Sequence, residues 1–382
     1  MQIFVLIKWL YFLVNVWLVY KLYDALRAPE VSRGFRFGAC ALAVLLSLSY
    51  PVSRLIESND FWVRALAFAG TFWLSLVLHA VLAWWALIVF RWLNRRCGWF
   101  EFAPERAAHW RLLACGGITA AALVASTAGL VNSQFPTVRA LTLAAPADAA
   151  PLRIVAVSDS HLGRLSSPAY FDKVVDLIVP LQPDLVVFAG DVLEYDFDPA
   201  DAPALAAAIR RLTPRLGVWG VYGNHEYIGG RIELNKQLLK EIGIRILVDE
   251  WAELENAPGK NLLLIGRDDL SGKWFGRERK SLAEILADAP AGEHLKILLD
   301  HQPFDLPEAE AAGVYLQVSG HTHRGQIAPF NLLVWLIYEN SYGLSTRGDS
   351  HFLVSSGVGT WGPSVRTTGR PEVVLIDLVP QK

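Results

Sequence analysis

The stretch VSGHTHRGQ (Val318–Gln326) decides how the chain is read. It closes an apolar run, VYLQVSG, with two histidines one residue apart. Alternate residues of an extended segment point the same way. The imidazoles of His321 and His323 therefore aim at one point beyond the end of a strand, and that point needs further ligands from elsewhere in the chain.

From about residue 137 onward the sequence supplies them. Short β-branched or aliphatic runs end in polar clusters: LRIVAVSDSH, DLVVFAGD, LGVWGVYGNHE, LKILLDHQP and VYLQVSGHTH. Helix-like stretches such as Tyr170 to Leu181 and Ala202 to Leu212 lie between them. Continuous apolar runs of this length fit strands covered on both faces, and hence an α/β fold. Open α/β sheets place their sites at strand ends. Here those ends carry Asp159, His161, Asp191, Asn224, His225, His301, His321 and His323. Carboxylates, an amide oxygen and imidazoles without a thiolate suit Mn, Fe or Zn, alone or as a mixed pair. All three cysteines (Cys40, Cys97, Cys115) precede this region, so it holds no disulfide and no zinc–cysteine site. Two divalent ions about 3.5–4 Å apart can clamp a phosphoryl group and ionise a water near neutral pH. An aspartate is the natural bridge, since its two oxygens can serve both.

The ordered set Asp159-x-His161, Gly190-Asp191-x-x-Glu194, Gly223-Asn224-His225-Glu226, His301-x-Pro303 and Gly320-His321-Thr322-His323 resembles the calcineurin-like metallophosphoesterase superfamily. The tail GVGTWGPSVRTTGRPEVVLIDL and the hydrophobic front end look like its membrane-anchored, YkuE-like phosphohydrolase branch. The resemblance spans roughly residues 137–380. It implies an αββα two-sheet sandwich, here preceded by an all-α region, and hydrolysis by attack of a metal-bound hydroxide. It also implies a first metal on Asp159, His161, Asp191 and His323, and a second on Asp191, Asn224, His301 and His321, with Asp191 bridging. His225 matches the family's histidine that protonates the leaving oxygen, so His225 and Asp191 are the expected catalytic residues. Glu194 stands where many relatives have aspartate and is expected to orient a ligand.

The first third of the chain has a different character. Hydrophobic residues make up 53% of the 382-residue sequence, and mean hydropathy is +0.31. Nine of the fourteen tryptophans precede residue 111. Segments 3–20, 37–53, 65–90 and 112–131 are expected to cross a bilayer, whose hydrocarbon core is about 30 Å thick. The division is thus a transmembrane region over 1–134 and a catalytic domain over 135–382. The first connection carries Lys21, Arg27, Arg33 and Arg36, and the third Arg91, Arg95, Arg96, Arg106 and Arg111. The second holds Arg54 and Arg64, and Arg139 and Arg153 follow the last span. This asymmetry puts the first and third connections in the cytoplasm. The chain is then a multi-pass protein of the cell inner membrane with its catalytic domain on the periplasmic or extracellular side. A formal net charge of −2 and the lack of a basic stripe argue against a nucleic-acid partner.

Arg164, Arg324 and Arg366 fall in loops near the motifs and are candidate phosphate ligands. The run PFNLLVWLIYENSYG is apolar from Phe330 to Tyr338 apart from Asn331. It reads either as an element tucked into the core or as one that dips into lipid. The second option makes the substrate a lipid or amphiphilic phosphoester, with phosphodiesterase activity in manganese as the expectation. The alternatives are a tethered hydrolase of soluble nucleotides or phosphate esters, and a non-catalytic membrane sensor of metal or ligand.

Overall fold

A computed structural model of the chain describes residues 2–290, 292 and 294–381, so the outer limits of the two expected regions, Met1 and Lys382, lie outside the described residues. Two compact units emerge, Met1–Val131 with Gly362–Val365, and Asn132–Trp361 with Arg366–Lys382.

The first unit is built of four long helices, α1 (Gln2–Ala25), α2 (Arg33–Ser53), α3 (Phe61–Cys97) and α4 (Ala107–Ser133), the last two residues of α4 belonging to the second unit. All four are long and apolar enough to cross a membrane. Their surface is inverted relative to a water-soluble bundle. Leu10, Phe12, Leu45 and Val124 are exposed, while Asn15, Ser75 and Ser126 are buried. The buried polar groups satisfy one another, as a hydrocarbon surrounding demands. Trp73 Nε1 donates to Asn15 Oδ1 at 2.8 Å, and the Ser75 and Ser126 hydroxyls meet at 2.9 Å. His79 Nδ1 lies 2.8 Å from the Ser75 carbonyl, so this imidazole, inside the apolar stretch 65–90 of α3, is satisfied by packing. The helices outrun the apolar segments read from the sequence. Backbone bonding in α3 continues through Arg91, Arg95 and Arg96 until Gly98 closes it with a left-handed φ of 66°.

In the second unit the strands are β1 (Thr137–Ala145), β2 (Leu152–Val157), β3 (Leu185–Ala189), β4 (Val218–Val221), β5 (Arg245–Ile246), β6 (Glu250–Ala257), β7 (Lys260–Gly266), β8 (Leu295–Leu299), β9 (Leu316–Ser319), β10 (Gly343–Arg347), β11 (Ser350–Val354) and β12 (Glu372–Pro380). They form two sheets, ordered β1-β12-β2-β3-β4-β5 and β10-β11-β9-β8-β7-β6. The helices are α5 (Pro168–Ile178), α6 (Ala202–Ile209), α7 (Asn224–Tyr227), α8 (Ile232–Ile242), α9 (Leu282–Ile285), α10 (Leu306–Ala311) and α11 (Phe330–Ile337).

The period-two geometry of a strand explains the layering. On β2, Val155 and Val157 point outward into a core with Phe171, Val174 and Ile178 of α5, Leu205 of α6 and Leu238 of α8. The alternate residues Ile154 and Ala156 point inward, onto Leu264, Ile297, Leu316 and Val318 of the second sheet. The outer face of that sheet (Leu263, Ile265, Leu298) is covered by Leu282 and Ile285 of α9 and Leu306 and Ala309 of α10. Both faces of the central strands are thus covered, which is why 154–157, 185–189 and 297–299 are apolar without alternation. The result is an αββα sandwich. Strands β2, β3 and β4 run parallel, as do β7, β8 and β9, so the motif-bearing strands discharge their polar ends at one edge.

The apolar run after the ligand loop is not tucked into the core. It forms α11, in which no residue is buried.

Candidate metal centre

Five strand ends converge on one site: the turns after β2 (Asp159, His161), β3 (Asp191), β4 (Asn224, His225), β8 (His301) and β9 (His321, His323). Backbone hydrogen bonds tie these turns together. Asp159 N–H donates to Gly190 O and His161 N–H to Asp191 O, both at 3.0 Å, and Gly320 N–H donates to His301 O at 3.0 Å. Asp159, His161, Asp191, His321 and His323 all hold positive φ, from 45° to 68°. Side chains other than glycine rarely adopt this conformation, and it persists where surrounding structure over-determines it. Here it turns successive side chains sharply off the strand toward a common centre.

Two glycines show why the motifs read as they do. A Cβ on Gly223 would stand 2.1 Å from Asp191 Oδ1, and one on Gly320 would stand 2.3 Å from Asp159 Oδ2. Neither position leaves room for a side chain, because a carboxylate occupies the space.

The side chains fall into two groups sharing one oxygen. In the first, His161 Nε2 lies 2.9 Å from His323 Nε2, and His323 Nε2 lies 3.4 Å from Asp159 Oδ1. In the second, Asn224 Oδ1 lies 2.8 Å from His321 Nδ1 and 3.2 Å from His301 Nε2. Asp191 Oδ2 stands between the groups, 3.7 Å from His161 Nε2 and 3.1 Å from His301 Nε2. Its other oxygen is held by the His225 backbone N–H at 2.8 Å. The His321 N–H holds Asp159 Oδ1 in the same way, at 2.9 Å. All eight expected side chains are therefore brought together. Asp159, His161, Asp191, His301 and His323 are buried, while Asn224, His225 and His321 are partly exposed and form the mouth.

This donor set fits divalent cations. His301 Nδ1 sits 2.7 Å from the Ala189 carbonyl, which fixes the proton there and turns Nε2 toward two acceptor oxygens, those of Asp191 and Asn224. A ring nitrogen and two oxygens converging at these distances are the donor types a divalent cation takes. The electrostatics agree. Burial, with Asp191 alongside, pushes the Asp159 carboxyl up. Burial also opposes charge on Asp191, but the His301 and His225 imidazoles outweigh it and hold that carboxyl well below the usual range. Burial and the neighbouring His301 lower His321 to about 3, keeping it neutral. For His225 burial again opposes charge, yet Asp191 and Glu194 prevail and raise it to about 9.

A second layer holds the first. Glu194 Oε1 lies 2.7 Å from His161 Nδ1 and 2.9 Å from His225 Nδ1. Glu226 is fully buried and accepts the backbone N–H groups of Asp191, Val192, Leu193 and Gly223. Arg366 is 0% exposed, which removes it from the phosphate candidates. Its guanidinium donates to the carbonyls of Ser356 and Gly359 and stands 3.3 Å from His323 Nδ1. Arg324 is exposed, with its guanidinium 4.4 Å from the Tyr342 ring centre. Sequence reasoning missed the roles of Glu226 and Arg366. For Glu226 the signal was present, as the last letter of Gly-Asn-His-Glu.

The model of the calcineurin-like phosphoesterase family matches residues 152–325. An uncharacterized metallophosphoesterase of Campylobacter jejuni is 33% identical over 250 residues, which take in 65% of this chain and 65% of that protein. One from Aquifex aeolicus is 33% identical over 232 residues, 59% of this chain and 85% of that protein. A Danio rerio protein described as a transmembrane protein with metallophosphoesterase domain is 29% identical over 385 residues, 94% of this chain and 84% of its own length. The last similarity reaches well beyond the residues that the family model matches.

Proposed function

The chain belongs to the calcineurin-like phosphoesterase family, and from that premise we propose that it is a membrane-bound hydrolase of phosphoesters that works with two divalent metal ions. Residues 1–134 form its transmembrane region and 135–382 its catalytic domain, on the periplasmic or extracellular side of the inner membrane by the distribution of basic residues. Asp159, His161, Asp191 and His323 would hold one ion, and Asp191, Asn224, His301 and His321 the other.

Asp191 carries this reading. Its Oδ2 is the atom shared by both side-chain groups, and its Oδ1 is fixed by a backbone N–H. When bound, two such ions supply Lewis acidity and bring the attacking water into its reactive form near neutral pH. The chain's own residues do the rest. Buried carboxylates and imidazoles keep the centre dry on its protein side, and the half-exposed mouth admits the phosphoryl group. His225, at that mouth, is oriented by Glu194 and holds a proton to deliver to the leaving oxygen, a contribution of about 10²–10⁴ in rate. The substrate class is a phosphodiester carried by a lipid or other amphiphile.

The test is turnover of bis(para-nitrophenyl) phosphate and para-nitrophenyl phosphate by the purified full chain in Mn²⁺, beside Asp191→Asn. Diester turnover that falls by at least about 10³ in the variant supports the proposal. An equal rate in both proteins overturns it.

A further inference from the structure

The helix α11 hangs from the ligand loop at both ends. Its start packs on Gly325, two residues beyond His323, where an added Cβ would meet Asn331 N at 2.2 Å. The chain returns through Tyr338, whose ring lies 6.0 Å from His321 and 4.8 Å from Phe304. Between these anchors stand eight residues, FNLLVWLI, none of them buried. Trp335 is 68% exposed, Leu336 71% and Ile337 63%. The same edge of the sandwich carries exposed Trp274, after β7, and exposed Trp361, whose carbonyl accepts from Gln326 of the ligand loop at 3.0 Å. Large apolar side chains exposed together on one short helix mark a surface that is covered in use.

The occupant follows from two further observations. Four helices of the chain are apolar enough to cross a bilayer. The catalytic unit begins at Asn132, just before the last of them ends. Asn132 Nδ2, in the final turn of α4, donates to the carbonyls of Arg366 at 2.9 Å and Gly369 at 2.7 Å, and the Arg366 guanidinium reaches His323. Within the second unit, Arg366 thus links Asn132, the first residue of that unit, to His323. At eight residues α11 is about 12 Å long, too short to span a core of about 30 Å. Tryptophan and aliphatic residues on a short exposed helix suit the lipid–water interface.

We infer that α11, with Trp361 beside it, inserts into the interface of the membrane that α1–α4 cross, and so holds the mouth of the site against phosphate-bearing head groups. The insertion stands independently; its consequence for substrate choice rests on the hydrolase reading above.

The test uses the full chain with its three cysteines replaced, in phosphatidylcholine–phosphatidylglycerol vesicles. A nitroxide is placed at Leu336→Cys and, for reference, at Lys240→Cys, exposed at the far end of α8. The ratio of oxygen to nickel-chelate collisions at 336 is expected to exceed that at 240 by about tenfold. Equal ratios overturn the insertion. In parallel, Leu333→Asn/Leu336→Asn/Ile337→Ser is assayed on bis(para-nitrophenyl) phosphate in water and on a hexadecyl para-nitrophenyl phosphodiester in the vesicles. The expectation is a loss of about tenfold on the hexadecyl ester, with the soluble diester held within about twofold. Equal loss on both makes α11 part of the catalytic frame and overturns the docking role. No turnover of either by the unaltered chain overturns the hydrolase reading, while the labels still decide insertion.

Discussion

The carboxylate of Glu226 accepts the backbone N–H of Asp191 at 3.0 Å. It also takes the N–H groups of Val192, Leu193 and Gly223 at 2.7–2.9 Å. One buried side chain thereby sets the turn after β3 against the turn after β4. Glu226→Gln keeps the shape but replaces one acceptor oxygen with a donor. An unsatisfied buried N–H costs about 1–3 kcal/mol, so the unfolding midpoint should drop by several degrees and metal affinity by about 10–100-fold. Calorimetry and metal content of the dialysed protein check both. An unchanged midpoint with full metal would remove Glu226 from this role.

Gly320→Ala puts a methyl where Asp159 Oδ2 now lies. The carboxylate has to move, and the His321 N–H that orients it moves too. The metal proposed for Asp159, His161, Asp191 and His323 should weaken by about 10–100-fold while the other remains. Equilibrium dialysis with Mn²⁺ separates the two cases; two metals retained at parental affinity would contradict the expectation.

In metal-free protein burial opposes the charge on His225, but Asp191 and Glu194 outweigh it and raise the imidazole from the ordinary 6.5 to about 9. The folded state therefore binds this proton more tightly than the unfolded one. The stabilisation is fully present below about pH 6.5 and is gone above about pH 9, up to about 3 kcal/mol in all. In EDTA, His225→Gln should unfold below the parent at about pH 6 and match it at about pH 10. A gap that stays constant across this window would refute the coupling to Asp191 and Glu194.

Arg366→Lys keeps the charge and loses the planar fork that reaches Ser356, Gly359 and His323 together. Unpaired carbonyls in this buried pocket should destabilise the fold by about 2–4 kcal/mol. Diester turnover should fall through weaker metal binding, so excess Mn²⁺ should restore part of it. Loss that excess metal leaves untouched would point instead to direct contact with substrate.

The cluster of candidate ligands was legible in the sequence because each member closes an apolar run, and runs that end in Asp, Asn or His show their geometry in one dimension. Asp159 and His161 announce themselves in this way, as do His321 and His323. Arg366 does not. An arginine in a Gly- and Pro-rich tail reads as solvated, and nothing local shows that the turn after β11 folds over it. The run at 330–338 was visible as apolar, but hydrophobicity alone cannot separate a buried helix from an exposed one. Only the packing of Gly325 and Tyr338 on the ligand loop fixes α11 at the surface. The ends of α3 were hidden for another reason: helical hydrogen bonding does not stop where hydrocarbon does, and arginine is a good helix former.

The strand order β1-β12-β2 has a consequence for biogenesis. Among the described residues β1, three residues beyond α4, joins its sheet through β12 alone, paired from Thr137↔Glu372 to Ala145↔Pro380. Domains fold as their chain emerges during synthesis, yet here the first strand made must wait for the last. The apolar helices can enter the bilayer long before the sandwich that follows them in the chain is able to close. Until then β1 presents an open edge, a template for pairing with another chain. The interval between insertion and closure is the period in which this protein is most exposed to misassembly.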